Sequence, residues 1–481
     1  MVLLAFGYIC YYLLDIPTYK LINKDRNITM HIHFIAIGGA AMHNLAIALH
    51  KKGYQVTGSD DEIFDPSRSR LNQYGLLPPE YGWFPHKINQ DIDVIILGMH
   101  ARKDNPELLK AQELQLKVYS YPEYLYEQCK DKKRIVIGGS HGKTTITSMV
   151  MHVLKKLDYQ FDYMVGAQIE GFDTMVQLSH DAPIAIFEGD EYLSSPIDLR
   201  PKFHWYKPHV ALLTGVAWDH INVFPTWENY VEQFKIFADS LSKNATFIWY
   251  TMDKELQDIS QDLRKDIKSL AYKELPAQLK NGKSIVTFNN TSYELSVFGA
   301  HNLQNINGAR MICAELGIND NDFFECISSF KGAAKRLQTL KEKKNTAVFL
   351  DFAHSPSKLK ATVEAVKLQY PERKLVACME LHTFSSLNKD FLPQYKDTMA
   401  AADVAYVYFN PEVLKHKHLP AINQTLVHDA FGTNNVSVFS NTTELQKLLL
   451  QSTWENTNLL FMSSGNFSGI DFVDFSEKIL K

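Results

Sequence analysis

RIVIGGSHGKTT, residues 134–145, reads as a buried strand that runs into glycines and then opens a helix. Arg134 to Ile137 make the strand, Gly138 and Gly139 end it, and Ser140, His141 and Gly142 form a loop ahead of Lys143 and Thr144. Met149, Val150, Val153, Leu154 and Leu157 recur at helical spacing and give the helix its apolar face. Glycines let backbone N–H groups close around phosphate oxygens, and a helix N-terminus adds partial positive charge. A lysine in the place of Lys143 reaches the β and γ phosphates, and the Thr144 hydroxyl suits a magnesium ion. The strict eight-residue loop has a glycine in place of Ile137; the shorter G-x-x-G-K-T-T from Gly139 to Thr145 is intact. The expectation is an ATP site formed by Gly139, Ser140, His141, Gly142, Lys143, Thr144 and Thr145.

Outward from this loop, strands alternate with amphipathic helices, the signature of parallel α/β sheets. Upstream, IHFIAIGG (32–39) is a buried strand ending in a glycine turn, followed by a helix carrying Leu45, Ala46, Ala48 and Leu49. QVTGSD (55–60) and DVIILG (93–98) add strands, and a helix runs from Pro106 to Leu116. The charged KDKKR stretch (130–134) reads as a linker or a solvated strand entry. Downstream come strands PIAIFEGDE (183–191) and HVALLTGVAWDH (209–220), then short pieces over 245–300 with hairpin turns at Asn281-Gly282 and Asn289-Asn290. AVFLDFAHS (347–355), KLVACMEL (374–381), DVAYVYF (403–409) and NLLFMSSG (458–465) make a third set. No period of 20–50 residues recurs, which excludes a solenoid.

The 481 residues suit about three domains at ~150 residues each. The breaks fall near 131 and 333, giving units 30–131, 132–333 and 334–481. A net charge of −4 argues against a general nucleic-acid binder. Five cysteines (Cys10, Cys129, Cys313, Cys326, Cys378) share no metal or redox spacing and suit free thiols in a reducing compartment. Val2 to Leu14 is apolar but short of the roughly 20 residues that span a bilayer, so residues 1–29 read as an extension or an over-long start.

Glu188, Asp190 and Glu191 follow directly on a strand, where a nucleotide site needs a magnesium ligand; Glu188 is the first choice. His220 is expected at the end of the 209–220 strand, as a metal or phosphate partner. Lys235, on a following helix, reads as a surface lysine. A NAD-dependent oxidoreductase is the competing enzyme class, but Ala40, Ala41 and His43 break its G-x-G-x-x-G spacing. A nucleotide-binding regulator is the non-catalytic alternative. It need not bring Glu188, His220 and Arg336 together on the phosphate loop.

Eight motifs in order resemble the Mur ligase family, the ATP-dependent amide ligases of cell-wall peptide assembly. They are IAIGGAAM (35–42), NPE (105–107), GGSHGKTT (138–145), EGDE (188–191), WDH (218–220), GAHNLQN (299–305), KRL (335–337) and DFAHSP (351–356). The resemblance runs from Met30 to the end. It implies three α/β domains: a Rossmann-like UDP-binding domain, a central ATP-binding domain with the phosphate loop, and a Rossmann-like C-terminal domain that receives the amino substrate. It places Gly38, Gly39, Ala40, Ala41 and Met42 at the UDP pyrophosphate, with Ser59 and Asp60 beside them. Lys143, Glu188, His220 and Arg336 would be catalytic, with Thr144, Glu188 and His220 at Mg²⁺. His301, Asn302 and Asn305 would meet adenine, and Asp351 and His354 the ribose and base.

Two branches of that family begin with this glycine-rich UDP-sugar domain. One adds L-alanine to UDP-N-acetylmuramate; the other attaches the recycled tripeptide L-Ala-γ-D-Glu-meso-diaminopimelate. EYLSSPIDLRPKFHWYKP (191–208) and SSGNFSGI (463–470) look like the tripeptide branch. Asn222 departs from the alanine-adding branch, and Glu380 to Ser386 replaces an arginine-containing loop common in these ligases. The implied enzyme is cytoplasmic, a monomer or weak dimer without stable membrane insertion. It would activate the lactoyl carboxylate as an acyl phosphate and pass it to the peptide's amine.

Overall fold

In a computed structural model, residues 29–218, 223–280, 283–333, 335–432 and 435–480 are described. The expectations for residues 1–28, for His220 and Asn222, and for the Asn281-Gly282 turn lie outside them.

The first sheet has four parallel strands in the order Gln55–Ser59, His31–Ile35, Val94–Leu97, Val118–Ser120. Its first strand is shorter than the apolar run. Ala36 leaves it at φ 69°, and the N–H groups of Ala36 and Ile37 both reach the Ser59 carbonyl. That turn feeds the helix Ala40–Lys51, whose Leu45, Ala46, Ala48 and Leu49 are buried. The helix after Asn105 spans Pro106–Glu113, shorter than expected, with the Asn105 side chain capping it and proline in its first turn.

The central sheet has seven strands, with Lys133–Gly138 in the middle between Val210–Leu213 and Ile184–Glu188. All pair in parallel except the edge strand Val176–Gln177. Because the phosphate-loop strand is central, its carboxyl end is flanked on both sides by strand ends, the place where open α/β sheets bind ligands. KDKKR is not a solvated linker throughout. Arg134 is buried, and its guanidinium donates to the carbonyls of Lys132, Tyr206 and Lys207, while Lys132 Nζ lies 2.5 Å from the buried Asp162 carboxylate. A separate three-stranded antiparallel sheet spans Gln278–Lys280, Lys283–Phe288 and Thr291–Leu295. Its second turn has Asn289 and Asn290 at positive φ, as a two-residue hairpin requires.

The third sheet orders its six strands Gln338–Lys343, Thr346–Asp351, Thr457–Met462, Lys374–Leu381, Val404–Phe409, Val436–Phe439, all parallel except the first. Phe298, beside the central unit's last long helix, packs edge-on against Phe349 and Tyr370 of this unit. Among the described residues, no helix is long and apolar enough to cross a membrane.

Candidate active site

The helix Lys143–Lys156 starts directly after Gly142, which sits at φ 78° with no side-chain cap, so its first N–H groups face the loop. Gly139 is at φ 110°, and a Cβ there would meet Thr214 Oγ1 at 2.3 Å. A Cβ on Gly142 would meet Asn305 Oδ1 at the same distance. Gly139 is required by backbone angle and by close approach to the Thr214 backbone, and Gly142 by its backbone angle.

The loop is clamped by neighbours. The Ser140 N–H donates to the Gly215 carbonyl at 2.9 Å, the Thr214 hydroxyl donates to the His141 carbonyl, and Gln304 donates to the Thr214 carbonyl at 2.9 Å. This clamp corrects the expected long strand 209–220. The strand ends at Leu213, because Thr214 and Gly215 turn away to hold the loop.

Of the residues expected together on the phosphate loop, Glu188 and Arg336 both approach Thr144, and His220 lies outside the described residues. The Thr144 hydroxyl donates to Glu188 Oε1 at 2.9 Å, and Arg336 Nη2 lies 3.4 Å from the same hydroxyl. The other Glu188 oxygen accepts the Gly166 N–H at 2.7 Å. The Arg336 guanidinium stacks on Phe352, 4.5 Å from the ring centre. Lys143 Nζ lies 2.6 Å from Glu191 Oε2. Burial alone would lower this ammonium, but Glu191, Asp190 and Glu188 outweigh it and hold Lys143 above its ordinary value. Asp190 itself pairs with Lys202 at 2.6 Å.

Lys143, Thr144, Glu188, Glu191, Arg336 and Phe352 line a cavity of about 370 Å³ between the central and C-terminal sheets. His301, Asn302, Asn305, Asp351 and His354 line it as well, as do Ser140, His141, Gly142 and Thr145. His301 is held below its ordinary value by burial, against the Asp351 carboxylate. Asn302 donates to the Phe298 carbonyl at 2.8 Å. Across the cavity, His141 Nε2 is 2.8 Å from Ser357 Oγ on the C-terminal unit. Lys235 is exposed on its helix, away from this lining.

The glycine turn of the first sheet forms a second place, apart from that cavity. The Gly38 N–H donates to Asp60 Oδ2 at 2.7 Å, and a Cβ on Gly38 would strike Ile63 at 2.8 Å. Gly39 precedes the helix Ala40–Lys51 without any side-chain cap, leaving N–H groups available to an anion. Ala40 and Ala41 are exposed and Met42 is buried. Burial, with Asp61 adding to it, pushes the Asp60 carboxyl up to about 6. Ser59 is buried behind the turn, so its hydroxyl does not face solvent.

Sequence reading missed several partners: Tyr230, whose hydroxyl donates to Glu191 Oε1 at 3.2 Å, Phe352 under Arg336, Gly166 at Glu188 and Ser357 at His141. Only Phe352 had a signal, lying inside the DFAHSP motif. Backbone donors and residues from distant elements carry none.

Three family models match in succession: "Mur ligase family, catalytic domain" over residues 31–133, "Mur ligase middle domain" over 137–313 and "Mur ligase, glutamate ligase domain" over 335–465. The chain belongs to the Mur ligase family. It is an ATP-dependent ligase that forms amide bonds in cell-wall peptide assembly. It is 28% identical to the UDP-N-acetylmuramate–L-alanine ligase of Lactobacillus acidophilus over 471 residues, covering 95% of this chain and 100% of that protein. Two solved Mur ligases share the fold at 21% identity, each matched over 94% of this chain and 98% of its own. The UDP-N-acetylmuramate-alanine ligase of Thermotoga maritima has a TM-score of 0.69 and the murein peptide ligase of Psychrobacter arcticus one of 0.64.

Proposed function

We propose that this Mur ligase joins L-Ala-γ-D-Glu-meso-diaminopimelate to UDP-N-acetylmuramate in the cytoplasm, as a murein peptide ligase does. The observation that carries the reading is the segment after the acids, where the branches differ. Arg200 pairs with Asp198 at 2.8 Å and stacks on Trp205 at 3.9 Å; Trp205 Nε1 donates to Asp198 at 2.9 Å. Lys202 holds Asp190 and lies over Tyr192, while Phe203 and Tyr206 are fully buried. The D-x-R-x-K-F-x-x-Y run is thus one built unit, braced against Asp190. A second feature supports it. Glu380, in the segment that replaces an arginine loop, is buried and accepts the Ser463 hydroxyl and the Phe467 N–H, so it ties SSGNFSGI to the carboxyl end of an interior strand.

Units 30–131, 132–333 and 334–481 would serve UDP-sugar binding, ATP binding, and amino-substrate binding with closure. The first would use Gly38 to Met42 with Asp60. Thr144 and Glu188 offer one hydroxyl and one carboxylate, hard oxygen donors that suit Mg²⁺ when phosphates and water complete its shell. Bound Mg²⁺ would neutralise charge on the phosphates. Lys143 and Arg336 would stabilise negative charge as the lactoyl carboxylate takes the γ-phosphoryl group. The peptide's amine would then attack the acyl carbon, with inorganic phosphate leaving. Water would destroy the acyl phosphate, so the cavity's walls from two units matter.

L-alanine addition is the second reading, favoured by the names of relatives 27–29% identical over 470–471 residues. Incubation with ATP, Mg²⁺ and UDP-N-acetylmuramate, offering L-alanine or tripeptide separately, separates the two by product mass. Tripeptide product is expected; product with alanine alone would replace the first reading by the second.

A further inference from the structure

We infer that Glu191 is a positioning residue: it holds the Lys143 ammonium as a stand-in for phosphate, and nucleotide must displace it. The inference rests on the proposal that Lys143 serves the nucleotide's phosphates.

The geometry is a directed chain of hydrogen bonds. The Ala217 N–H donates to Ser140 Oγ at 2.7 Å, so the Ser140 hydroxyl proton is available to Tyr230 Oη, 3.0 Å away. Tyr230 in turn donates to Glu191 Oε1 at 3.2 Å. The other carboxylate oxygen, Oε2, takes the Lys143 ammonium at 2.6 Å. Glu191 is only 1% exposed, and the Lys143 side chain 15%. Ser140 and Lys143 belong to the phosphate loop and Tyr230 to the helix Trp227–Asp239, so two separate parts of the central unit fix one carboxylate. Glu188 is bound elsewhere, by Thr144 and Gly166, and Asp190 by Lys202.

A buried ion pair holds its geometry because separating it leaves charge uncompensated. The pair therefore keeps the Lys143 ammonium at the loop rather than letting it sample rotamers, which preorganises it for phosphate oxygens. The same pairing reduces affinity, because the competent, unpaired ammonium is a minor state that phosphate must populate. A nucleotide without β and γ phosphates has no group to exchange for Glu191 and does not feel the competition.

The test is calorimetric binding of Mg²⁺ with a non-hydrolysable ATP analogue bearing an imido β–γ bridge, and of AMP, to the full chain. Glu191→Gln keeps the shape and the Tyr230 hydrogen bond but removes the charge. The analogue is expected to bind about fivefold tighter, with AMP unchanged. A merely structural role would weaken both ligands or neither. Analogue affinity unchanged or weaker in a folded Glu191→Gln protein overturns the inference. Should that variant not fold, crystallography of the wild type with the analogue decides: Lys143 Nζ on phosphate oxygens and off Glu191 supports it, and Nζ still on Glu191 without phosphate contact overturns it. Lys143→Ala tells the two readings apart. If that variant binds the analogue as wild type does, the phosphate-loop assignment falls and this inference with it. If binding is lost there but Glu191→Gln does not tighten it, only this inference falls.

Discussion

Asp351 holds Leu337 just inside the C-terminal unit, next to its joint with the central one: its Oδ2 accepts the Leu337 N–H at 2.5 Å, while Oδ1 accepts the Ala353 N–H at 2.6 Å. Leu337 follows Arg336 directly and is itself at φ 46°. The carboxylate therefore fixes the backbone that aims Arg336 at the phosphate loop. An amide has one acceptor, so Asp351→Asn must leave one of these N–H groups facing a donor. The expected cost is ~1–3 kcal/mol of stability, with a fall in kcat beyond that of the unfolded fraction. Urea unfolding alongside steady-state ligation checks both; a wild-type kcat would remove Asp351 from the joint.

Arg336 makes two contacts that a lysine cannot both keep, the flat stack on Phe352 and the reach to Thr144. Arg336→Lys should lower kcat by roughly 10²-fold, with the KM for ATP nearly unchanged. Its side chain is only partly buried, so the melting temperature should hold. A rise in KM with kcat intact would instead mean that Arg336 contributes uniform binding.

Gly142 can be tested against a glycine elsewhere. Gly142→Ala adds a positive-φ penalty and a clash with Asn305, whereas Gly75→Ala, at φ 69°, meets nothing within 4 Å. Gly75→Ala should cost about 1 kcal/mol and leave catalysis alone. Gly142→Ala should cost more in thermal unfolding and abolish ATP binding by calorimetry.

Asp60 gives a pH signature in the first unit. Its folded value, about 6, stands above the roughly 3.9 of a free aspartate. The protonated form is the one the fold favours, so the stabilisation is complete below about pH 4 and is lost as pH rises through about 6. Asp60→Asn keeps an acceptor for Gly38 and cannot ionise. Between about pH 5 and about pH 7, wild-type urea midpoints should fall relative to the variant. Parallel curves would show that Asp60 titrates normally.

The order of strands and helices was legible because buried parallel strands and helix faces repeat at short, fixed spacings. So were the phosphate-loop glycines, whose backbone angles no other residue adopts cheaply. The ends of elements were less legible. The run 209–220 looks like one strand, yet it stops at Leu213 because Thr214 and Gly215 are drawn to the loop. KDKKR looks solvated, yet Arg134 is buried among carbonyls that only folding gathers.

The sequence by itself determined three α/β units and the loop GGSHGKTT, since both follow from residue type and local spacing. It also supplied Thr144, Glu188 and Arg336, but as separate letters 44 and 148 positions apart. Tertiary structure alone decided that they converge on one hydroxyl and that Glu191, braced by Tyr230, holds Lys143. The reason is physical. A hydrogen bond of about 3 Å between distant elements depends on how sheets stack and where a joint bends, and no local pattern encodes that.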